Sequence, residues 1–211
     1  MSGNDSKLAA FRQNGATQID LQRTNILDAA EYLFLHKGLE QTTMSDIVAQ
    51  ASITRVTLYR YFANRDEVAL AVYPRMHAKL ASLLDATDIP LAIEDANKLA
   101  RAMIRNFSAL REVYRFFGVF DALYLDHRPD TDVNQWTRAQ LADAPWLQSN
   151  WITDPAAQRA IVLLSSVIWF LEKVALRDDG TGSVQGIPVA EQLHILEEIV
   201  TVYVEHLLAQ R

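Results

Sequence analysis

A chain of 211 residues, half of them hydrophobic, has enough apolar material to bury one or two sizeable cores, which excludes disorder as its overall state. The absence of cysteine removes disulfides, thiolate nucleophiles and Cys-based zinc sites together. The net charge of -6 is uneven: residues 1–80 hold nine Lys or Arg against eight Asp or Glu (+1), and residues 81–211 hold eleven against eighteen (-7), so only the first part can approach phosphate without repulsion.

In chain order, residues 1–20 are polar and without a sustained period, and are expected to form a mobile arm; Lys7 and Arg12 there are too few to mark a groove contact by themselves. From Leu21 to Lys37 the spacing predicts a helix, with Ile26, Ala29, Ala30, Leu33 and Phe34 on one face and Gly38 placed to end it. Thr43 followed by Asp46 is a capping-box pattern, and Met44, Ile47, Val48 and Ala51 continue at helical spacing. Ala51-Ser52-Ile53 is too short for a free loop. Thr54 can then cap another short helix whose Leu58 and Phe62 turn inward with Ile53, leaving Arg55, Thr57 and Arg60 on the other side.

Two short helices joined this tightly form a helix-turn-helix pattern, whose second helix is sized for the DNA major groove. Helix pairs of this kind also occur in helical proteins generally, and three arginines can equally form a solvated face. Asn64 is a cap for the next helix, with Asp66 and Glu67 in its first turn; Val68, Ala69, Val72 and Met76 follow, and Pro74 should bend or divide it. The division expected is an arm (1–20), a helix-turn-helix domain (21–65) and a helical domain (66–211).

The remainder reads as an all-α bundle. Pro90 opens a helix carrying Ile93 to Phe107, Glu112 to Leu125 is rich in aromatics, and His127 to Asp130 breaks the run. A helix is expected over Val133–Leu141, with an interruption at Ala144–Trp146. Pro155 starts a long helix whose centre is apolar nearly all round and must be central or covered. A polar loop at 177–183 leads to a last helix, Pro188–Leu208. The last two helices have surface for both an internal core and an isologous homodimer contact.

Arg23, Ile26-Leu27, Ala29-Ala30, Leu33-Phe34, Gly38, Thr42-Thr43, Ile47-Val48, Ala51, Ile53-Thr54, Thr57-Leu58-Tyr59 and Tyr61-Phe62, followed by the Asn64–Glu67 helix start, resemble the N-terminal domain of the tetracycline-repressor (TetR) family. The resemblance covers about residues 22–70. It implies a dimeric, cytoplasmic, sequence-specific DNA-binding transcriptional regulator, usually a repressor released from double-stranded operator DNA by a small-molecule effector. The sequence departs from the family pattern where Ser52 replaces the common turn glycine and where Val56 replaces a smaller residue. The branched Val56 side chain either meets a thymine methyl or packs beside the helix.

With that resemblance, Arg55 and Thr57 are expected at base edges or adjacent phosphates, and Thr43, Tyr59, Tyr61 and Arg65 at phosphates, while Arg60 fits either set. Plain exposure, or for the tyrosines a packing role, is the alternative. For the effector, Phe107, Phe117, Phe120, Tyr124 and Trp169 are the candidate apolar lining, and Asn97, Arg101 and Glu172 the candidate polar contacts; aromatics at this spacing also build ordinary cores. Arg101 favours an anion and Glu172 a cation, so the ligand's charge stays open.

An enzyme finds little support. The five histidines are scattered without an HExxH pair, no glycine-rich phosphate loop occurs, and Glu191, His194 and Glu198 on one helix face are read as solvent or subunit contacts rather than metal ligands. No cofactor or metal is expected. The competing reading is a ligand-binding or protein-interaction dimer without useful DNA recognition, with a helical enzyme behind it. No run of about 18 apolar residues predicts a membrane span, and the N-terminus lacks the order of a signal peptide.

Overall fold

The computed structural model describes residues 3–84, 92–125, 155–178 and 181–209, including side chains except those of 3–18, Leu125 and Ala156. The expected helix start at Pro90, the break at 127–130, the helix over 133–141 and the interruption at 144–146 lie outside these ranges, as do the side chains of Lys7 and Arg12. The described residues form α1 (Gly3–His36), α2 (Met44–Gln50), α3 (Arg55–Tyr61), α4 (Arg65–Leu83), α5 (Ile93–Arg105), α6 (Phe107–Phe120), α7 (Pro155–Arg177) and α8 (Val189–Leu208), with one small hairpin. The chain is thus all-α in architecture, and no helix among the described residues is long and apolar enough to cross a membrane. It divides into two compact units, Met1–Arg75 and Met76–Arg211.

In the first unit, helix ends are fixed by local chemistry. Gly38 takes φ +96° and its N–H donates to the Leu33 carbonyl (3.2 Å), ending α1 with the left-handed residue that an L side chain rarely adopts. The Thr42 hydroxyl, fully buried, donates to the Gly38 carbonyl at 2.7 Å. Ile26 and Ala30 of α1 and Ile47 of α2 have no solvent exposure, so α1 braces α2 through the face read from the sequence. Asn25 adds a bond from its Nδ2 to the Ala51 carbonyl at 2.9 Å, satisfying the C-terminus of α2.

α1 begins at Gly3, so the stretch expected to form a mobile arm is helical from there and continuous with the helix expected from Leu21. Good helix formers such as Leu8, Ala9, Ala10 and Gln13 account for this without any apolar stripe, which is why a search for periodicity misses it.

The turn between α2 and α3 is a Schellman motif. Ser52 sits at φ +52°; its N–H donates to Ala49 and that of Ile53 to Val48, both at 3.2 Å. A serine in this region is strained because its Cβ crowds the backbone. Ser52→Gly should therefore raise the stability of the first unit by about 0.5–1 kcal/mol; a lower urea midpoint for the variant would contradict this.

α4 starts as its sequence implies: Asn64 Oδ1 accepts from the Glu67 N–H (2.9 Å), and Glu67 Oε2 accepts from the Ala63 N–H (2.7 Å). Pro74 does not divide the helix. Arg75 closes the first unit on α1 by pairing with Asp28 and with Glu31 (3.5 Å), and the division between the units falls next to it, inside α4 rather than at residue 65.

In the second unit α7 packs against both α5 and α6, and α5 also against α8. Gly118 of α6 packs tightly against α7: a Cβ there would lie 2.7 Å from Leu176 Cδ1 and 3.3 Å from the Glu172 Cβ. α5 and α6 are two helices rather than one because Asn106 leaves helical geometry at φ -92°, ψ 9°, with its side-chain amide donating to the Ala102 carbonyl (2.8 Å). The C-terminus of α7 receives two arginines from α6. Arg111 pairs with buried Asp178 (2.7 Å), and Arg115 donates to the carbonyls of Ala175 (3.2 Å) and Asp178 (3.1 Å), placing cations at the negative helix end.

Between the polar loop expected at 177–183 and the last helix, Ser183–Val184 and Ile187–Pro188 pair antiparallel, with Ser183 opposite Pro188. Gln185 (φ 54°) and Gly186 (φ 79°) make a turn with two left-handed residues, the geometry that matches strand twist.

Candidate nucleic-acid interface

The surface expected to meet DNA is built by the two caps. Thr43 opens α2: its hydroxyl accepts from the Asp46 N–H (3.2 Å) and donates to Asp46 Oδ2 (2.7 Å), while its own N–H donates to the same carboxylate (2.8 Å). Lys37 bonds Asp46 at 2.6 Å, and this contact first, then the Thr43 bonds, holds the carboxyl down at about 2. The box is consequently ionised and intact near neutral pH. Thr54 opens α3 in the same way, its Oγ1 accepting from the Thr57 N–H (3.1 Å) and sharing a hydrogen with the Thr57 hydroxyl (2.9 Å).

With Leu58 buried and Phe62 nearly so, α3 must present its other side outward. Arg55, Val56, Tyr59 and Arg60 are exposed, and Thr57 and Tyr61 are half-buried. The guanidinium of Arg55 donates to Ser45 Oγ at 2.9 Å, so it is held over the start of α2 before any ligand arrives. Arg60 lies over the Tyr61 ring (5.0 Å to its centroid) and donates to its hydroxyl (3.1 Å). Arg65, half-buried, donates to the Glu40 carbonyl (2.9 Å) and so spans from α4 to the loop before α2. Ser45 was not singled out by the sequence; its position in the first turn of α2 is the signal that points to it.

The eight residues considered for an effector separate into groups. Rings are in contact from Phe116 to both Phe117 and Phe120 and from Phe120 to Tyr124 (4.8 Å), His77 lies on Phe117 (4.3 Å), and Phe107 stacks with Tyr114 (5.9 Å). Glu172, 4% exposed, enters this interior from α7. Tyr114, absent from the candidate set, is fully buried, and its hydroxyl has no hydrogen-bond partner among the described residues. Burial first, and the Glu172 charge second, push its phenol well above the ordinary value.

Asn97, Arg101 and Trp169 are not brought into that interior. Arg101 donates to Asn97 Oδ1 (3.2 Å), Glu197 Oε1 (2.9 Å) and Thr201 Oγ1 (2.7 Å), a polar tie between α5 and α8 that occupies the guanidinium. Trp169 is 61% exposed, with Lys173 over its ring, because it falls on the side of α7 away from α5 and α6. His194 and Glu198 form a surface pair at 3.4 Å on α8.

Residues 26–72 match the sequence model described as bacterial regulatory proteins, tetR family. The chain is 30% identical over 131 residues to the HTH-type transcriptional repressor Rv3405c of Mycobacterium tuberculosis, covering 60% of this chain and 69% of that protein. It is 27% identical over 88 residues, 42% of each chain, to the HTH-type transcriptional regulator TtgR of Pseudomonas putida. Among solved structures, a transcriptional regulator from Rhodococcus sp. RHA1 superposes with a TM-score of 0.60 at 16% identity, over 87% of this chain and 96% of the other. The multidrug binding protein EbrR complexed with ethidium gives 0.54 at 18% identity, over 86% and 97%. At such identities the superpositions establish the fold, and the Mycobacterium relative establishes the kinship. The chain belongs to the tetR family of bacterial regulatory proteins and is a transcriptional regulator.

Proposed function

We propose that the protein is a homodimeric repressor that holds double-stranded operator DNA through α3 and is released when a small molecule enters its second unit. The observation that carries this reading is the rigid α2–turn–α3 unit, capped at both helix starts, which leaves Arg55, Val56, Tyr59 and Arg60 outward on a helix sized for the major groove. Arg55 and Thr57 serve base edges or the phosphates beside them. Thr43, Tyr59, Tyr61 and Arg65 position the phosphates, and Arg60 joins either group. Because the first 80 residues carry a net charge of only +1, long-range attraction is weak and affinity depends on contact geometry and moderate salt.

This division of roles has a direct test at fixed salt. Arg55→Ala should reduce discrimination between operator and random duplex by roughly 10-fold, and Arg65→Ala should weaken both to a similar degree. Equal losses on both duplexes from both variants would reject it.

A second copy of the chain is the partner suited to the outer faces of α7 and α8. Val162 and Trp169 on α7 and Ile195, Ile199 and Val202 on α8 are all exposed, and α8 bears an open groove of about 520 Å³ lined by Ile195, Glu198, Ile199, Val202, Tyr203 and His206. For the effector, the aromatic interior around Phe117, Phe120, Tyr124 and Glu172 is the site, by analogy with EbrR, which shares the fold and binds ethidium. α4 contributes residues to both units, so a ligand that favours one arrangement of this helix also selects one state for DNA. Titrating malachite green, a non-intercalating dye also found in complex with EbrR, while following operator binding examines this: binding of the dye to the protein with no change in operator affinity would reject the coupling.

A further inference from the structure

On the exposed face of α3, Arg55, Thr57 and Arg60 already have partners within the chain. Arg55 is bonded to Ser45 (2.9 Å), the Thr57 hydroxyl to that of Thr54 (2.9 Å), and Arg60 to Tyr61 (3.1 Å). Val56 contrasts with all of them. At 82% it is the most exposed large hydrophobic among the described residues, far above Tyr59 (54%) on the next turn. It occupies the second position of α3, in the N-terminal turn that a helix-turn-helix protein presents to base edges. A β-branched residue has no helix-forming advantage there, and Leu58, two positions on, already fills the inward side. The packing alternative raised by the sequence is removed by this exposure.

An aliphatic side chain reads only one feature of the major groove. Thymine presents a 5-methyl group, whereas guanine, cytosine and adenine present hydrogen-bonding atoms that valine cannot use. We propose that Val56 is a specificity residue that packs its methyl groups on the thymine 5-methyl of one A·T pair in each operator half-site. This rests on the operator-binding reading above and adds to it the identity of one base. Arg55, held against α2 by Ser45, brackets the same position from the preceding residue and fixes the register in which the valine meets the groove.

Deoxyuridine differs from thymidine in that methyl alone, which makes it the probe. Once a preferred duplex has been selected, each thymine is replaced singly by deoxyuridine, and binding of the full-length protein and of Val56→Ala is measured. One thymine per half-site should be sensitive, its replacement weakening wild-type binding roughly 3- to 10-fold. Val56→Ala should show a comparable loss on the unmodified duplex and no further loss on the uracil duplex. The exposure of Val56 means that the variant folds as wild type does, which its melting curve verifies.

If no thymine is sensitive, or if Val56→Ala responds to uracil as strongly as wild type, the assignment is overturned while the regulator reading stands. A wild-type protein that selects no duplex at all would instead remove the reading on which the assignment rests.

Discussion

Leu58→Ala should abolish operator binding near 37 °C and leave the second unit folded. Leu58 is completely buried in α3 and its backbone carries two helix bonds, accepting from Phe62 (3.0 Å) and donating to Thr54 (3.1 Å). Truncation of a buried leucine costs about 2–5 kcal/mol, through lost transfer energy and the cavity left behind. The first unit is small, with a core of a few side chains such as Ile26, Phe34, Ile47 and Leu58, so a loss of that size is a large part of its stability. Amide exchange should accelerate across α2 and α3 while α6 and α7 stay protected. Val56→Ala, two residues away but 82% exposed, should shift stability by less than about 0.5 kcal/mol. A Leu58→Ala protein with wild-type melting and affinity would mean that α3 does not pack as described.

The combined change Ile199→Asp and Val202→Asp should convert the dimer to folded monomers and lower operator affinity by about 100-fold or more. Both side chains are exposed on α8, at 58% and 67%, so the protomer's own core, built there by Leu196, Val200 and Val204, is untouched. Four carboxylates brought together in an isologous contact repel one another and cannot be desolvated without a cationic partner. Losing the second reading unit removes the effective-concentration advantage of two linked half-site contacts, typically 10²–10⁴ in affinity. Sedimentation at micromolar protein reads the first effect and an operator titration the second. A variant that stays dimeric would place the subunit contact elsewhere.

What could be read from the sequence was the chemistry that is settled within a few residues. Thr43 with Asp46, Thr54 and Asn64 each make the cap that their spacing implies, and Leu58 and Phe62 turn inward as the helical period requires. Pro155 begins α7 for the same kind of reason. What was not legible depends on partners far along the chain or on weak local preferences. The orientation of Trp169 follows from which side of a uniformly apolar helix α5 and α6 occupy, and no period in α7 encodes that choice. Arg101 is engaged by Glu197 and Thr201, nearly a hundred residues later, so its freedom could not be judged from α5 alone. Asn106 separates α5 from α6 without any glycine or proline, and the 183–188 hairpin turns on Gln-Gly rather than the commoner Asn-Gly. Ser52 lies between the two cases: its place in the turn was evident, and its positive φ required the backbone.

The claim on which the rest depends is that two copies of α3 read a duplex in sequence. Selection of bound fragments from random double-stranded DNA with the purified full-length protein, followed by titration of the winners over low to moderate salt, addresses it most directly. The expected result is an enriched two-fold-symmetric site whose half-sites face the same side of the helix, one or two turns apart, bound more tightly than random duplex at every salt concentration. A dimer that enriches no sequence, with affinity for all duplexes falling together as salt rises, would contradict the account.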